Sequence, residues 1–352
     1  MSKSIKIYNF IEQLIYNYWS KTSLSQFTNK ISIVKLIGYY NIIKFIIEIL
    51  RNSKYYLKYS IKKIPYIKNK ITDERQKIIK SIHTKFDKQL ENVENHNLPK
   101  IGFNSIKIIS IFETLKNKSD INYRNGRVSG ATYSNNKDLD KMLVQVFPYF
   151  NKSNPLHTNL YPSVRKMEQE CVSIMIKLFN GSSKTCGSFT SGGTESILLA
   201  CKTYRDRALK EFNITKPEMI VSSTVHCAFN KACSYFNIKM VIIPCNEDGN
   251  TNVHLFEKSI NKNTIFMVGS TPNYNLGLID NIIDLNNIAI KHKIPLHLDA
   301  CIGSFLINFS KFKYDFSFEG VTSISADFHK YGQSPKGASC IMYKNKEIMK
   351  YQ

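Results

Sequence analysis

An α/β fold, a mainly parallel sheet covered by helices, is predicted by three features of the sequence. Past Pro162, short apolar runs alternate with stretches of helical spacing, the pattern of strands buried on both faces between crossover helices. A glycine-rich turn, Thr190–Ser196, joins one such run to a helix. The residues with the most chemical potential, Gly192, His226, Asp299 and Lys330, fall at or just beyond the carboxyl ends of runs, where open α/β sheets bind ligands.

In chain order, Met1–Phe10 lacks the unbroken apolar core and small-residue cleavage site of a signal peptide. Ile31–Leu50 is the nearest approach to a membrane span, interrupted by Lys35, Asn41, Lys44 and Glu48. Asn41, Lys44, Glu48 and Arg51 share one helical face, so an amphipathic helix lying on a membrane or on another protein competes with a span. Lys54–Lys88 reads as a lysine-dense helical connector with Pro65 as its main break, and folded-domain character begins near Asn104. Val164, Met167, Cys171, Ile174, Met175 and Leu178 then predict a helix over Val164–Asn180, ended by Gly181. Strands are predicted at Cys186–Thr190, Met219–Ser222, Met240–Pro244, Thr264–Gly269, Pro295–Leu298 and Val321–Ser325, and the helix after the glycine-rich turn runs through Leu209.

The chain has 352 residues, 43% of them hydrophobic, enough for one large core or two smaller ones. Its net charge of +22 is weighted toward the N-terminal part. That excess reads either as a solvated lysine-rich surface or as attraction to an acidic membrane or a phosphorylated ligand. No zinc-finger, RNP or recognition-helix pattern accompanies it, so nucleic-acid binding is not indicated. The eight cysteines show no C-x-x-C pair and no framework spacing. Neither a metal site nor disulfides are expected; a reducing compartment and small core thiols are.

Four kinds of residue converge on one chemistry. The glycines of Thr190–Ser196 let a phosphate approach a helix N-terminus, with Thr194 and Ser196 as further hydroxyl donors. Asp299 ends an apolar run, Ile294–Asp299, where a carboxylate needs a partner such as a protonated pyridine nitrogen. His226 could stack on a flat ring, and Lys330 in Ala326–Gly332 offers an amine for an aldehyde. Each alone has a structural reading: a tight turn, a helix-capping or ion-paired acid, a core histidine, a surface lysine. Together they supply the parts that hold pyridoxal 5'-phosphate (PLP).

Beyond this, the chain resembles the sphingosine-1-phosphate lyases, a family of PLP-dependent carbon–carbon lyases. The matching stretches are Gly126–Tyr133 (GRVSGATY), Ser153–His157 (SNPLH), Cys186–Ala200 (CGSFTSGGTESILLA) and His226–Tyr235 (HCAFNKACSY). They continue with Ser270–Pro272 (STP), Ile294–Ala300 (IPLHLDA) and Val321–Gly337 (VTSISADFHKYGQSPKG). The resemblance implies fold type I of the PLP-dependent transferases. It implies Lys330 as the amine that meets the aldehyde, Asp299 as partner of the pyridine nitrogen, His226 as the stacking ring, and Gly192, Gly193 and Thr194 as the phosphate cradle. Tyr133, His157 and Lys336 match catalytic positions, and Asn154, His157 and Tyr274 substrate-side ones, Tyr274 more loosely because Asn273–Leu276 departs from the pattern. The implied reaction cleaves a sphingoid-base phosphate into phosphoethanolamine and a fatty aldehyde, by a homodimer at the cytosolic face of the endoplasmic reticulum membrane. A cytoplasmic location is the alternative.

Residues 1–103 then form a basic, helical or membrane-associated segment and 104–352 the cofactor-binding domain. Family members continue past the position of Gln352 into a further C-terminal domain, so the expectation is a fragment, half of a split protein, or a reduced chain. Two other readings are an amino-acid decarboxylase, disfavoured by Tyr331 where decarboxylases usually carry tryptophan, and a non-catalytic PLP-binding or membrane-interaction protein.

Overall fold

A computed structural model describes residues 64–90, 100–117, 128 and 130–352. Ile31–Leu50 lies outside the described residues, and among the described ones no helix is long and apolar enough to cross a membrane. The chain divides into two compact units, Met1–Ile108 and Ile109–Gln352. The first contains α1 (Pro65–Leu90). Pro65, read from sequence as the main break of the Lys54–Lys88 connector, is the first residue of this helix, where a missing N–H costs nothing because that group has no intrahelical acceptor. Helix α2 (Ser105–Asn117) follows Asn104, whose Oδ1 accepts the N–H of Lys107 at 2.9 Å as an N-cap.

The second unit is built around a sheet. Helices α3 (Lys137–Phe150) and α4 (Pro162–Leu178) precede β1 (Cys186–Thr190). There follow α5 (Gly193–Phe212), β2 (Glu218–Ser222), α6 (Ala228–Phe236), β3 (Lys239–Ile243), α7 (Val253–Lys258) and β4 (Thr264–Ser270). The chain ends with α8 (Ile282–His292), β5 (Leu296–Asp299), a 3-10 turn (Phe305–Phe309), β6 (Val321–Asp327), β7 (Ser339–Tyr343) and α9 (Lys346–Met349). The seven strands lie in the order β1-β7-β6-β5-β4-β2-β3. The pairings among β2 to β6 are parallel, as predicted, while β7 runs antiparallel to both neighbours, β1 and β6.

The strands inside the sheet, β2 and β4 to β7, are buried on both faces, and their period-2 pleat sorts their side chains into two cores. Ile220, Met267, Leu296, Leu298, Ile324 and Met342 pack on one side with Met175 and Phe179 of the α4 end and Leu285 of α8. Met219, Val221, Phe266, Val268, Ile341 and Tyr343 pack on the other with Ile197 and Tyr204 of α5 and Phe229 of α6. Helices α5, α6 and α8 each end on a residue with positive φ, Asn213, Asn237 and Lys293, whose N–H closes on a carbonyl of the last turn. That cap releases the chain sharply into the next strand, so the loops after β1, β2, β4, β5 and β6 collect at one edge of the sheet.

Candidate active site

At that edge, Gly193, Thr194, His226, Ser270, Asn273, Tyr274, Asp299, Cys301, Asp327 and Lys330 line a cavity of about 200 Å³, with Ile197, Pro272, Ile302 and His329 completing the wall. The sequence-predicted cofactor residues other than Gly192 therefore meet in one place. Gly192 is the N-cap residue of α5, adjoining the wall.

The cradle is the first turn of α5, whose N–H groups have no carbonyl behind them and favour an anion. Glu195 Oε2 reaches back to the N–H of Ser191 at 2.6 Å and fixes the turn. Gly193 is required by close approach: a Cβ there would lie 2.8 Å from Cys301 Sγ and 3.0 Å from an Asp327 oxygen. Thr194 lines the cavity, whereas Ser196 does not. Ser196 is fully buried, its hydroxyl engaged with Thr190 at 2.7 Å and Ser339 at 2.9 Å, so it braces the turn against β7 rather than offering a donor.

Asp299 closes β5 and is buried. Its Oδ1 accepts the N–H of Cys301 at 3.1 Å and the hydroxyl of Ser325 at 3.4 Å. His226 is oriented by the N–H of Ala228, which its Nδ1 accepts at 3.1 Å, leaving the neutral ring protonated on Nε2. Tyr274 meets this ring edge-on at 5.3 Å between centroids, an aromatic corner over the cavity.

Lys330 Nζ lies 2.9 Å from Asp327 Oδ2, and His329 Nε2 is 3.5 Å from the same oxygen. Burial disfavours the Lys330 charge, but the acidic surroundings of Cys301, Asp327 and Asp299 outweigh it and raise the amine above its ordinary value. A carboxylate therefore holds the proton that Lys330 must give up before its amine can attack an aldehyde. Replacing Asp327 with Asn removes one anchor of that proton, so the pH midpoint for capture of PLP by Lys330 should move to lower pH. Stopped-flow absorbance against pH measures it, and an unmoved midpoint would contradict the role.

The remaining candidates sit apart from the wall. Tyr133 lies edge-on to Tyr331 at 5.3 Å, and Lys336 Nζ stands 4.6 Å from the Tyr133 ring centroid. Burial and the neighbouring Lys330 charge lower the Lys336 amine. These three side chains form a cluster next to the Lys330 loop without lining the cavity. Asn154 and His157 are exposed in the loop between α3 and α4, where Asn154 Oδ1 accepts the N–H of Leu156, and neither lines the cavity. Sequence reasoning missed Asp327, Cys301 and Asn273. For Asp327 the signal was available, three residues before Lys330 on the same strand end; Cys301 was treated as a core thiol, and burial does push the pKa of that thiol well above its ordinary value.

The residues fit PLP on an observation independent of motif. Among the described residues, two buried polar atoms on this wall have no protein partner, Asn273 Nδ2 and Asp327 Oδ1. Buried polar groups are rarely left so unless a ligand or water completes them. An unpaired donor, a carboxylate, an oriented imidazole, a lysine and a helix N-terminus suit a flat, anionic, aldehyde-bearing ring.

Comparison with known proteins agrees. Sphingosine-1-phosphate lyase of Drosophila melanogaster is 38% identical over 311 residues, 86% of this chain and 57% of the relative. Sphingosine-1-phosphate lyase 1 of Rattus norvegicus is 41% identical over 306 residues, 83% of this chain and 52% of the relative. The chain thus spans about half the length of the curated relatives it matches. A solved sphingosine-1-phosphate lyase of Burkholderia pseudomallei superposes with a TM-score of 0.71 at 30% identity, over 75% of this chain and 63% of that one. A Lactobacillus brevis glutamate decarboxylase shares the fold at a TM-score of 0.64 and 22% identity, over 73% of this chain and 61% of that one. Residues 128–352, which hold every element of the cavity, match the model of the pyridoxal-dependent decarboxylase conserved domain, and the chain belongs to that PLP-dependent family.

Proposed function

We propose that this chain carries the cofactor site of a PLP-dependent aldehyde-lyase that cleaves sphingosine 1-phosphate or a related sphingoid-base phosphate. The observation that carries the reading is the convergence of Lys330, Asp299, His226 and the Gly193–Thr194 helix start on one cavity wall. The substrate class is supported by relatives of 36–41% identity that bear the sphingosine-1-phosphate lyase name.

PLP, when bound, supplies the electron sink that lets a bond beside the substrate amine break. The α5 N-terminus would hold the phosphate, His226 would cover the ring and Asp299 would accept the pyridine N–H. Lys330 would supply the amine for the aldehyde, with Asp327 holding its proton until then. Cleavage then requires a base to take the C3 hydroxyl proton as the C2–C3 bond breaks, and an acid to protonate C2. Tyr133, His157 and Lys336 are our candidates for that proton traffic or for the substrate phosphate, with Asn154 and Tyr274 along the substrate chain.

We further propose a homodimer, on the support of α3, which leaves Met142, Val144, Phe147 and Tyr149 exposed and buries no side chain. Residues 1–103 we read as a segment serving a membrane surface, with the cytosolic face of the endoplasmic reticulum as its location. The decisive experiment loads the recombinant chain with PLP and supplies sphingosine 1-phosphate. Fatty aldehyde with phosphoethanolamine supports the lyase. Carbon dioxide from amino acids instead would replace it with a decarboxylase, and PLP binding with neither product would reduce the chain to a binding module.

A further inference from the structure

Beneath the cavity, a line of buried polar side chains runs along one face of the sheet to Asp299. His297 and Asp299 are two residues apart on β5 and share one face of its pleat, while Leu296 and Leu298 enter the opposite core. Strand β6 pairs in parallel with β5 and sets Ser323 beside His297 and Ser325 beside Asp299. His297, Ser323 and Ser325 are 0% exposed. The Tyr204 hydroxyl of α5 donates to Ser323 Oγ at 2.6 Å, and Ser323 Oγ lies 2.7 Å from His297 Nδ1. On the other side of the ring, His297 Nε2 lies 3.3 Å from Ser325 Oγ, which donates to Asp299 Oδ1 at 3.4 Å.

Counting protons fixes the direction of the whole line. A carboxylate only accepts, so the single hydroxyl proton of Ser325 goes to Asp299 and Ser325 must accept from His297. Nε2 therefore carries the imidazole proton, and Nδ1 accepts from Ser323. Ser323, its own proton committed, accepts from Tyr204. Burial supports these states: it lowers His297 to about 4, against the opposing pull of Asp299, and raises Tyr204 to about 12, so both stay neutral. Every donor points toward Asp299, and aligned hydrogen bonds in a dry interior polarise one another.

We propose that Tyr204, Ser323, His297 and Ser325 form a directed hydrogen-bond relay that holds Asp299 as an oriented carboxylate for its ligand, with His297 as its central positioning residue. The relay rests on the PLP reading for what Asp299 grips, though its own proton arrangement does not. Replacing His297 with Gln keeps an N–H at the reach of Nε2, whereas His297→Asn keeps only the Ser323 side. Ser325→Ala cuts the link next to Asp299 with little change in volume.

The test has two readouts. In the PLP-free full chain labelled with 15N-histidine, and with His297→Gln identifying the resonance, His297 should appear as a neutral Nε2–H tautomer that does not titrate between about pH 5.5 and 8. A proton on Nδ1, or an ordinary midpoint near ~6.5, overturns the relay. In PLP titrations followed by absorbance, His297→Asn and Ser325→Ala should weaken binding about tenfold and move the pH midpoint of the visible band, with His297→Gln within about twofold of the parent. Parent-like affinity and band in Ser325→Ala overturns the proposal even where a His297 variant fails to fold. A parent chain that binds no PLP would sink the cofactor reading, and the tautomer would still decide the relay.

Discussion

Lys330→Ala should abolish the visible absorbance that the parent chain gains on addition of PLP, and should lower any aldehyde release on the order of 10⁴-fold or more, the scale on which enzymes lose rate with a covalent nucleophile. Lys330 is the lysine among the described residues of the cavity wall, and its Nζ is already held at 2.9 Å by Asp327. Nearby amines do not substitute: Lys336 stands over Tyr133, outside the wall. The substitution also strips buried Asp327 of its lysine partner and leaves the His329 ring, with Nε2 at 3.5 Å, as its neighbour. A modest fall in Tm should accompany the loss, because an uncompensated buried carboxylate is costly unless it takes up a proton. Adding Asp327→Asn to Lys330→Ala should recover that Tm while restoring no absorbance, which separates the chemical role of the lysine from its structural one. A fully active Lys330→Ala protein would remove Lys330 from the mechanism.

What was legible in the sequence and what was not divides along a physical line. Asp299, His226, Gly193 and Lys330 could be placed because each sits at a strand end or a helix start, and strand ends of a parallel sheet share one edge. Strand β7 was missed: Ser339–Tyr343 mixes Ser and Cys with three apolar residues, and nothing local says that it inserts antiparallel between β1 and β6. Because β7 supplies Ser339 to brace Ser196, missing it also hid why Ser196 cannot face the ligand. Asp327 and Cys301 come together against Gly193 only through three separate segments, so no spacing rule announces them. His297 looked like one more residue of an apolar strand. Its role depends on the β5–β6 register, since a one-residue slip would set it against a different neighbour.

Gly303→Ala should be among the most damaging single changes in the cofactor-binding unit, although residue 303 touches no predicted site residue in sequence and carries no positive φ. An added Cβ would run into the Thr271 carbonyl oxygen, with the Thr271 carbonyl carbon and Tyr314 Cε2 each at 3.1 Å. The nearest obstacle is backbone, so no rotamer change relieves it. Thr271 is itself tied down, its N–H donating to the Asp299 carbonyl at 2.8 Å, and Tyr314 donates to the Gly303 carbonyl at 3.1 Å. The two chains forced apart are the β4 exit, which carries Ser270, Pro272 and Asn273, and the β5 exit, which carries Asp299, Cys301 and Ile302. We expect a loss of about 3 kcal/mol or more, a fall in Tm of roughly 6–12 °C for a unit of this size, and weaker PLP binding from the same displacement. Gly102→Ala, where an added Cβ meets nothing within 4 Å, is the control and should stay within about 0.5 kcal/mol of the parent. If Gly303→Ala melts with the parent, the two strand exits are not packed through this glycine. If it melts early yet binds PLP at full strength, the packing is right but the cavity wall does not depend on it.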